Sequence, residues 1–221
     1  MFNGDFRKTS TKVLDRVGFL FARTRIPPNL FSALALAIAA IGSALFYLRL
    51  YVPAFIFIGI ACLWDTIDGG VARGQKRVTK FGYYLEGIID KWVEVIIYVG
   101  FAASGYALES LLVVAATLML SFAKPRAAMV VPIGEHDWPA IGERFDRLLL
   151  LNAGLVAFLI WPSVRLGETV LPTLRIVLVI LFLVVLVGSI QRIAYARKII
   201  ALGGTEALHV ACRDVFANSA K

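Results

Sequence analysis

The sequence predicts an all-α integral membrane protein of six transmembrane helices behind an N-terminal amphipathic helix lying at the membrane interface. Three observations carry that prediction. The 221 residues are 59% apolar and only 17% charged, with a mean hydropathy of +0.79, well above what soluble domains of this length carry. Six apolar runs of about 20 residues, enough to cross roughly 30 Å of hydrocarbon, lie along the chain. Lysine and arginine gather in alternate connections between those runs.

Residues 1–26 interleave Phe6, Val13, Leu14, Val17, Phe19, Leu20 and Phe21 with basic side chains, the pattern of a helix that rests one face in the headgroup region. Pro27 and Pro28 end it, because two prolines cannot continue a helix, and Asn29 is suited to cap the first span. The spans read as Asn29–Leu50, Val52–Ala72, Lys80–Ala103, Ala107–Val130, Leu148–Ser163 and Val170–Ala194. The fifth is short, and its helix can start inside the preceding loop. The first run follows too long a charged lead for a cleaved signal peptide, and no small-residue cleavage site follows it. Residues 27–200 therefore read as one membrane domain and 201–221 as a polar tail, without internal repeats or low-complexity tracts.

Orientation follows from the basic residues. They crowd the N-terminal segment, the second-to-third connection (Arg73, Lys76, Arg77, Lys80), the fourth-to-fifth connection (Lys124, Arg126, Arg144, Arg147) and the tail. Only Arg49, Arg165 and Arg175 fall on the other side, and Lys91 lies within a span. The positive-inside rule then makes both termini and both basic loops cytoplasmic in a multi-pass protein of the cell membrane. The net charge of +8 describes one face attracted to anionic membrane lipids, and no nucleic acid partner is needed to explain it. Cys62 and Cys212, in an apolar run and the tail, form neither a disulfide framework nor a thiolate metal site. His136 and His209 lie in a loop and the tail, which argues against histidine chemistry.

The chemistry is concentrated in Trp64-Asp65-Thr66-Ile67-Asp68-Gly69-Gly70-Val71-Ala72-Arg73 and, eight residues on, Gly82-Tyr83-Tyr84-Leu85-Glu86-Gly87-Ile88-Ile89-Asp90. An ionised carboxylate within a membrane helix costs about 2.5–3.5 kcal/mol on insertion scales, so four of them require compensating charge. Asp65 and Asp68 are three apart at the cytoplasmic end of one span, and Glu86 and Asp90 are four apart near the cytoplasmic start of the next. Each pair thus shares a helix face, and two antiparallel helices can bring the pairs together. Carboxylates without His or Cys suit hard cations, Mg²⁺ or Mn²⁺, whose shells phosphate oxygens complete. Two such ions can clamp the attacking and leaving oxygens of a phosphoryl displacement. Simple salt bridging to Arg73, Lys80 and Lys91 is the alternative, but it gives no reason for Gly69 and Gly82. Glycines there let a ligand approach the backbone, and Arg73 offers a planar fork to a phosphate.

Written as a pattern, Asp65-x2-Asp68-Gly69-x2-Ala72-Arg73-x8-Gly82-x3-Glu86-x3-Asp90 resembles the signature of the CDP-alcohol phosphotransferase family. The likeness extends more loosely over most of the chain, from the amphipathic lead through the six spans. It implies that Asp65, Asp68 and Glu86 are metal ligands, that Asp90 is both shared ligand and general base, and that Asp68, Gly69, Ala72, Arg73 and Gly82 contact the nucleotide. It also implies a homodimer. The departure is Glu86, where the family pattern has Asp; the carboxylate keeps its charge and ligand type but reaches one methylene further. The implied reaction is in-line attack of an acceptor hydroxyl, deprotonated by Asp90, on the lipid-bearing phosphorus of CDP-diacylglycerol or CDP-archaeol, with CMP leaving.

Downstream, Ser121-Phe122-Ala123-Lys124-Pro125-Arg126-Ala127 and Gly142-Glu143-Arg144-Phe145-Asp146-Arg147 resemble elements of the branch that makes phosphatidylinositol phosphate or its archaeal ether-lipid counterpart. Lys124, Arg126, Arg144 and Arg147, with Arg192 as a further candidate, then suit the phosphate of a polar acceptor, inositol 1-phosphate above all. Ordinary positive-inside bias is the alternative for these residues. The same chemistry with glycerol 3-phosphate stays open, as do an ion-coupled transporter using the same acids and an inactive relative.

Overall fold

The computed structural model describes residues 21–24, 26–76, 79–133 and 140–204, without the side chains of Thr24, Pro28, Asp65, Thr66, Asp68, Gly69 and Leu166. The expected amphipathic helix falls almost wholly outside the described residues, as does most of the tail. Six α-helices occupy the described part: α1 Pro28–Tyr47, α2 Tyr51–Gly74, α3 Lys80–Phe101, α4 Ala107–Ala128, α5 Arg144–Ile160 and α6 Thr173–Leu202. They match the six apolar runs in order. Three helical stretches, Asn29–Tyr47, Lys80–Ala128 and Thr173–Leu202, are long and apolar enough to cross a membrane. The second of these comprises α3 and α4, which a five-residue π-turn, Ala102–Tyr106, joins. Gly105 reverses the chain there with φ of 101°, a backbone state that costs glycine little and other residues much.

The boundaries follow local chemistry. Pro28 occupies the first position of α1, where its missing N–H is no loss and its fixed φ favours the helix. Pro27 rather than Asn29 therefore stands at the N-cap, without a side-chain bond, which corrects the expected capping by Asn29. Thr79 caps α3, its Oγ1 accepting from the Gly82 N–H at 2.9 Å. The fifth helix begins at Arg144, four residues before the apolar run that signals it. The all-α expectation also needs one amendment: Ser163–Leu166 and Thr169–Pro172 pair as an antiparallel hairpin, β1 and β2. Val170–Pro172, assigned to the sixth span, are strand. Pro162 stops α5, and the two-residue turn Gly167-Glu168 (Gly167 φ 62°) closes the hairpin. α6 ends in a left-handed Gly203, whose N–H and that of Gly204 reach back to Ile200 and Ile199.

Two groups of helices pack against each other. α1 lies against α2 and α3, α6 lies against α4 and α5, and the contacts of α3 with α4 and of α2 with α5 join them. Small residues set the closeness, as expected where apolar burial does not drive helix association. A Cβ on Gly100 would fall 2.6 Å from the Ser43 Cβ, while the Ser43 hydroxyl donates to the Ile96 carbonyl at 2.8 Å, tying α1 to α3. A Cβ on Gly154 of α5 would overlap Val177 of α6. Replacing Gly100 by Leu should force α1 from α3 and cost about 1–3 kcal/mol or more; a lowered thermal midpoint in detergent checks it.

Candidate active site

α2 ends at Gly74 and α3 begins at Lys80, so the two halves of the acidic motif lie toward the same end of the bundle. That end is anchored from the N-terminal side. Trp64 stacks on Phe31 of α1 with ring centroids 4.6 Å apart and donates its indole N–H to the Phe31 carbonyl at 2.9 Å. Phe21 packs on both rings at 5.7 Å. Gln75 at the end of α2 donates to the Ile26 carbonyl at 2.8 Å. The residues just before the first helix are thus stitched to the motif-bearing end of α2.

On α2, Asp65, Asp68 and Gly69 lie in its last three turns, with side chains outside the description. Ala72 is half-buried and Arg73 exposed in the final turn. On α3, Gly82 stands in the first turn, where a Cβ would come 3.0 Å from Thr79 Oγ1 and 3.6 Å from Asn29 Oδ1. The absent side chain there serves the Thr79 cap as well as any ligand. Glu86 and Asp90 follow on one face, both half-buried. No group of three or more His, Cys, Asp or Glu gathers among the described side chains, which do not include those of Asp65 and Asp68. The donor set, four carboxylates with no soft ligand, fits Mg²⁺ or Mn²⁺.

The basic elements divide. Arg144, the first residue of α5, reaches across to α3 and places Nη1 2.5 Å from Asp90 Oδ2. Arg147, one turn on, is 2% exposed and grips Glu94 with two bonds, Nε to Oε2 at 3.1 Å and Nη2 to Oε1 at 2.7 Å. Its Nη1 also donates to the Gly142 carbonyl at 2.8 Å. Arg147 is therefore buried, with its guanidinium spent on Glu94 and the Gly142 carbonyl. Lys124 is half-buried and Arg126 exposed at the end of α4, where Arg126 Nη1 lies 3.7 Å from the Met129 sulphur. Arg192 of α6 donates to the Leu120 carbonyl at 2.6 Å and stands 3.3 Å from Glu143.

Glu94 is the residue the sequence reading passed over. It lies four beyond Asp90 and eight beyond Glu86, on the same helix face, and is 4% exposed. A carboxylate inside an apolar span is the very signal that singled out the other four. The turn before α5 is clamped as well. The Ile141 N–H donates to Gln191 Oε1 at 3.0 Å, and Gly142, with φ of 75°, leaves room for Val185, whose Cα would be 3.2 Å from an added Cβ.

The sequence profile of the CDP-alcohol phosphatidyltransferases matches residues 25–164, the stretch from the lead into α1 through the arginine turn and α5. The chain belongs to that family. As a CDP-alcohol phosphotransferase it is a membrane enzyme that transfers a phosphoalcohol group from a CDP-alcohol to an acceptor hydroxyl, with CMP as leaving group. It is 28% identical over 144 residues to an archaetidylinositol phosphate synthase of Pyrococcus horikoshii, covering 62% of this chain and 73% of that one. With a phosphatidylinositol phosphate synthase of Streptomyces avermitilis it shares 26% over 214 residues, 90% of this chain and 83% of that one. The fold is that of the Mycobacterium tuberculosis phosphatidylinositol phosphate synthase PgsA1. Its structure with CDP-DAG bound superposes with a TM-score of 0.67 at 18% identity, over 84% of this chain and 94% of that one. Its structure with manganese and citrate gives 0.67 at 19%, over 83% and 88%.

Glu86 is the departure from the family pattern to probe first. Glu86→Asp should retain turnover and Glu86→Ala should lose it, with Mn²⁺ affinity, read by electron paramagnetic resonance titration, falling only in the Ala variant.

Proposed function

We propose that the enzyme transfers a phosphatidyl-type group from a CDP-linked lipid to the hydroxyl of inositol 1-phosphate. One observation carries this reading: Arg144 stands 2.5 Å from Asp90, so the cation suited to an acceptor phosphate adjoins the carboxylate suited to remove the acceptor's proton. The names of the relatives support inositol phosphate in preference to glycerol 3-phosphate, which the same cations would hold by its phosphate. A neutral acceptor would gain little from Arg144, Lys124 and Arg126.

In this mechanism Gly69, Ala72, Arg73 and Gly82, with Asp68, line the nucleotide's seat, and Arg73 contributes a fork to its phosphates. Arg144, Lys124 and Arg126 hold the acceptor phosphate and so present the acceptor hydroxyl to Asp90. Asp90 accepts the hydroxyl proton as the oxygen attacks the lipid-bearing phosphorus; the bond from that phosphorus to the CMP oxygen breaks, and CMP departs. Divalent cations held by Asp65, Asp68, Glu86 and Asp90, two in the fullest arrangement, would supply charge neutralisation at the pyrophosphate.

The six helices support six crossings, with residues 1–26 as an interfacial lead and 201–221 as a tail, both termini and the site cytoplasmic under the positive-inside rule. The family resemblance supports a homodimer.

CMP release from CDP-diacylglycerol and CDP-archaeol with inositol 1-phosphate, glycerol 3-phosphate and free inositol tests the reading. Inositol 1-phosphate should be preferred, and equal use of free inositol would refute it. EDTA should abolish release and Mg²⁺ or Mn²⁺ restore it. Asp90→Asn should lower turnover about 10²–10⁴-fold while retaining CDP-lipid binding. Arg144→Ala should raise the acceptor KM tenfold or more, the loss of a charge-assisted bond worth about 1.5–3 kcal/mol, and leave the CDP-lipid KM nearly unchanged.

A further inference from the structure

Behind Asp90 and Arg144 lies a second, fully buried layer of charge. Glu94 and Arg147, each no more than 4% exposed, make a two-pronged pair between α3 and α5. Lys91 Nζ comes within 3.5 Å of the same Glu94 Oε1, and Arg144 Nε within 3.9 Å. Two well-packed apolar side chains would hold the helices together at least as well as a desolvated ion pair. What apolar side chains would not do is direct a guanidinium. Arg147, held by Glu94, passes its remaining grip to the Gly142 carbonyl, and Gly142 begins the turn from which Glu143 and Arg144 project. The opposite side of that turn is fixed on α6 by Gln191 and Arg192.

We propose that Glu94 is a positioning residue for the acceptor site: through Arg147 and the Gly142 carbonyl it sets the height and direction of Arg144 relative to Asp90. Glu94 touches no substrate. Its two carboxylate oxygens fix the Arg147 plane, Arg147 fixes the turn, and the turn aims Arg144, as outer-shell carboxylates aim metal-binding histidines. The charges are consistent with this role. Glu94 meets Lys91, Arg144 and Arg147, and Asp90 meets Arg144, so Arg144 is shared between the buried pair and the reactive face. The proposal rests on the reading that the acceptor carries a phosphate held at Arg144.

Three variants test it: Glu94→Asp, Glu94→Gln and the double change Glu94→Met with Arg147→Met, which removes the pair without leaving a buried charge orphaned. For each, the thermal midpoint in detergent, the acceptor KM, the CDP-lipid KM and kcat are measured with whichever phosphorylated acceptor the wild type prefers. The double variant should fold and raise the acceptor KM about tenfold, with the CDP-lipid KM within about twofold of wild type. Glu94→Gln should behave likewise, and Glu94→Asp should recover part of the loss. A folded double variant with wild-type acceptor KM would overturn the proposal, because the pair would then be structural only. Failure of all three variants to fold would overturn it on the same ground. A wild type that preferred free inositol would remove the acceptor reading and this proposal together, whereas a phosphate-selective wild type with unaltered variants removes this proposal alone.

Discussion

A charge inside an apolar helix bundle survives only beside its counter-charge, and that constraint organises the reactive end of this enzyme. Glu86, Asp90 and Glu94 rise along one face of α3 at successive turns. Each unpaired carboxylate at such depth would cost about 2.5–3.5 kcal/mol, and orphaning one member of a buried pair costs about 3–5 kcal/mol. Asp90 is met by Arg144 and Glu94 by Arg147, and both arginines come from the first two turns of α5. The pairing therefore binds the helix that carries half of the acidic motif to the start of α5, where Arg144 stands.

The remaining architecture serves the same end of the molecule. Thr79 caps α3 just ahead of Gly82, where the missing side chain leaves room for the cap itself. Trp64, Phe31 and Phe21 form a wedge that holds the segment before α1 against α2. At the far end, Phe46 packs edge-on to Phe101 at 4.8 Å, and Arg175 of α6 pairs with Glu109 of α4 at 2.6 Å. Those contacts close the end of the bundle opposite the motif.

Much of this was legible in the chain itself. Hydrophobic runs located all six helices, and the carboxylate spacing identified the helix faces because one turn of α-helix leaves residues three or four apart side by side. What escaped depended on partners distant in sequence. Nothing near Glu94 announces Arg147, which lies 53 residues on, and an arginine in a basic loop looks alike whether it faces water or is sealed behind a carboxylate. Local rules also competed with one another. Asn29 is a good N-cap by type, but Pro28 already presets the first helical residue and moves the cap to Pro27. The start of α5 was obscured because Arg144 to Arg147 are polar in composition yet helical by virtue of their pairing with α3. The hairpin at 163–172 was hidden by apolar residues, Val164, Val170 and Leu171, that serve strand and span equally well.

That the acids of α2 and α3 and the arginine turn before α5 form one reaction centre is tested most directly by proximity. Mn²⁺ bound to the enzyme relaxes the ³¹P nucleus of inositol 1-phosphate only if metal and acceptor phosphate occupy neighbouring sites. The wild type should enhance that relaxation beyond Mn²⁺ and acceptor alone, and Arg144→Ala should abolish the enhancement while Mn²⁺ stays bound. An enhancement absent from the wild type, or undiminished in Arg144→Ala, would show that the arginine turn does not hold the acceptor beside the acids.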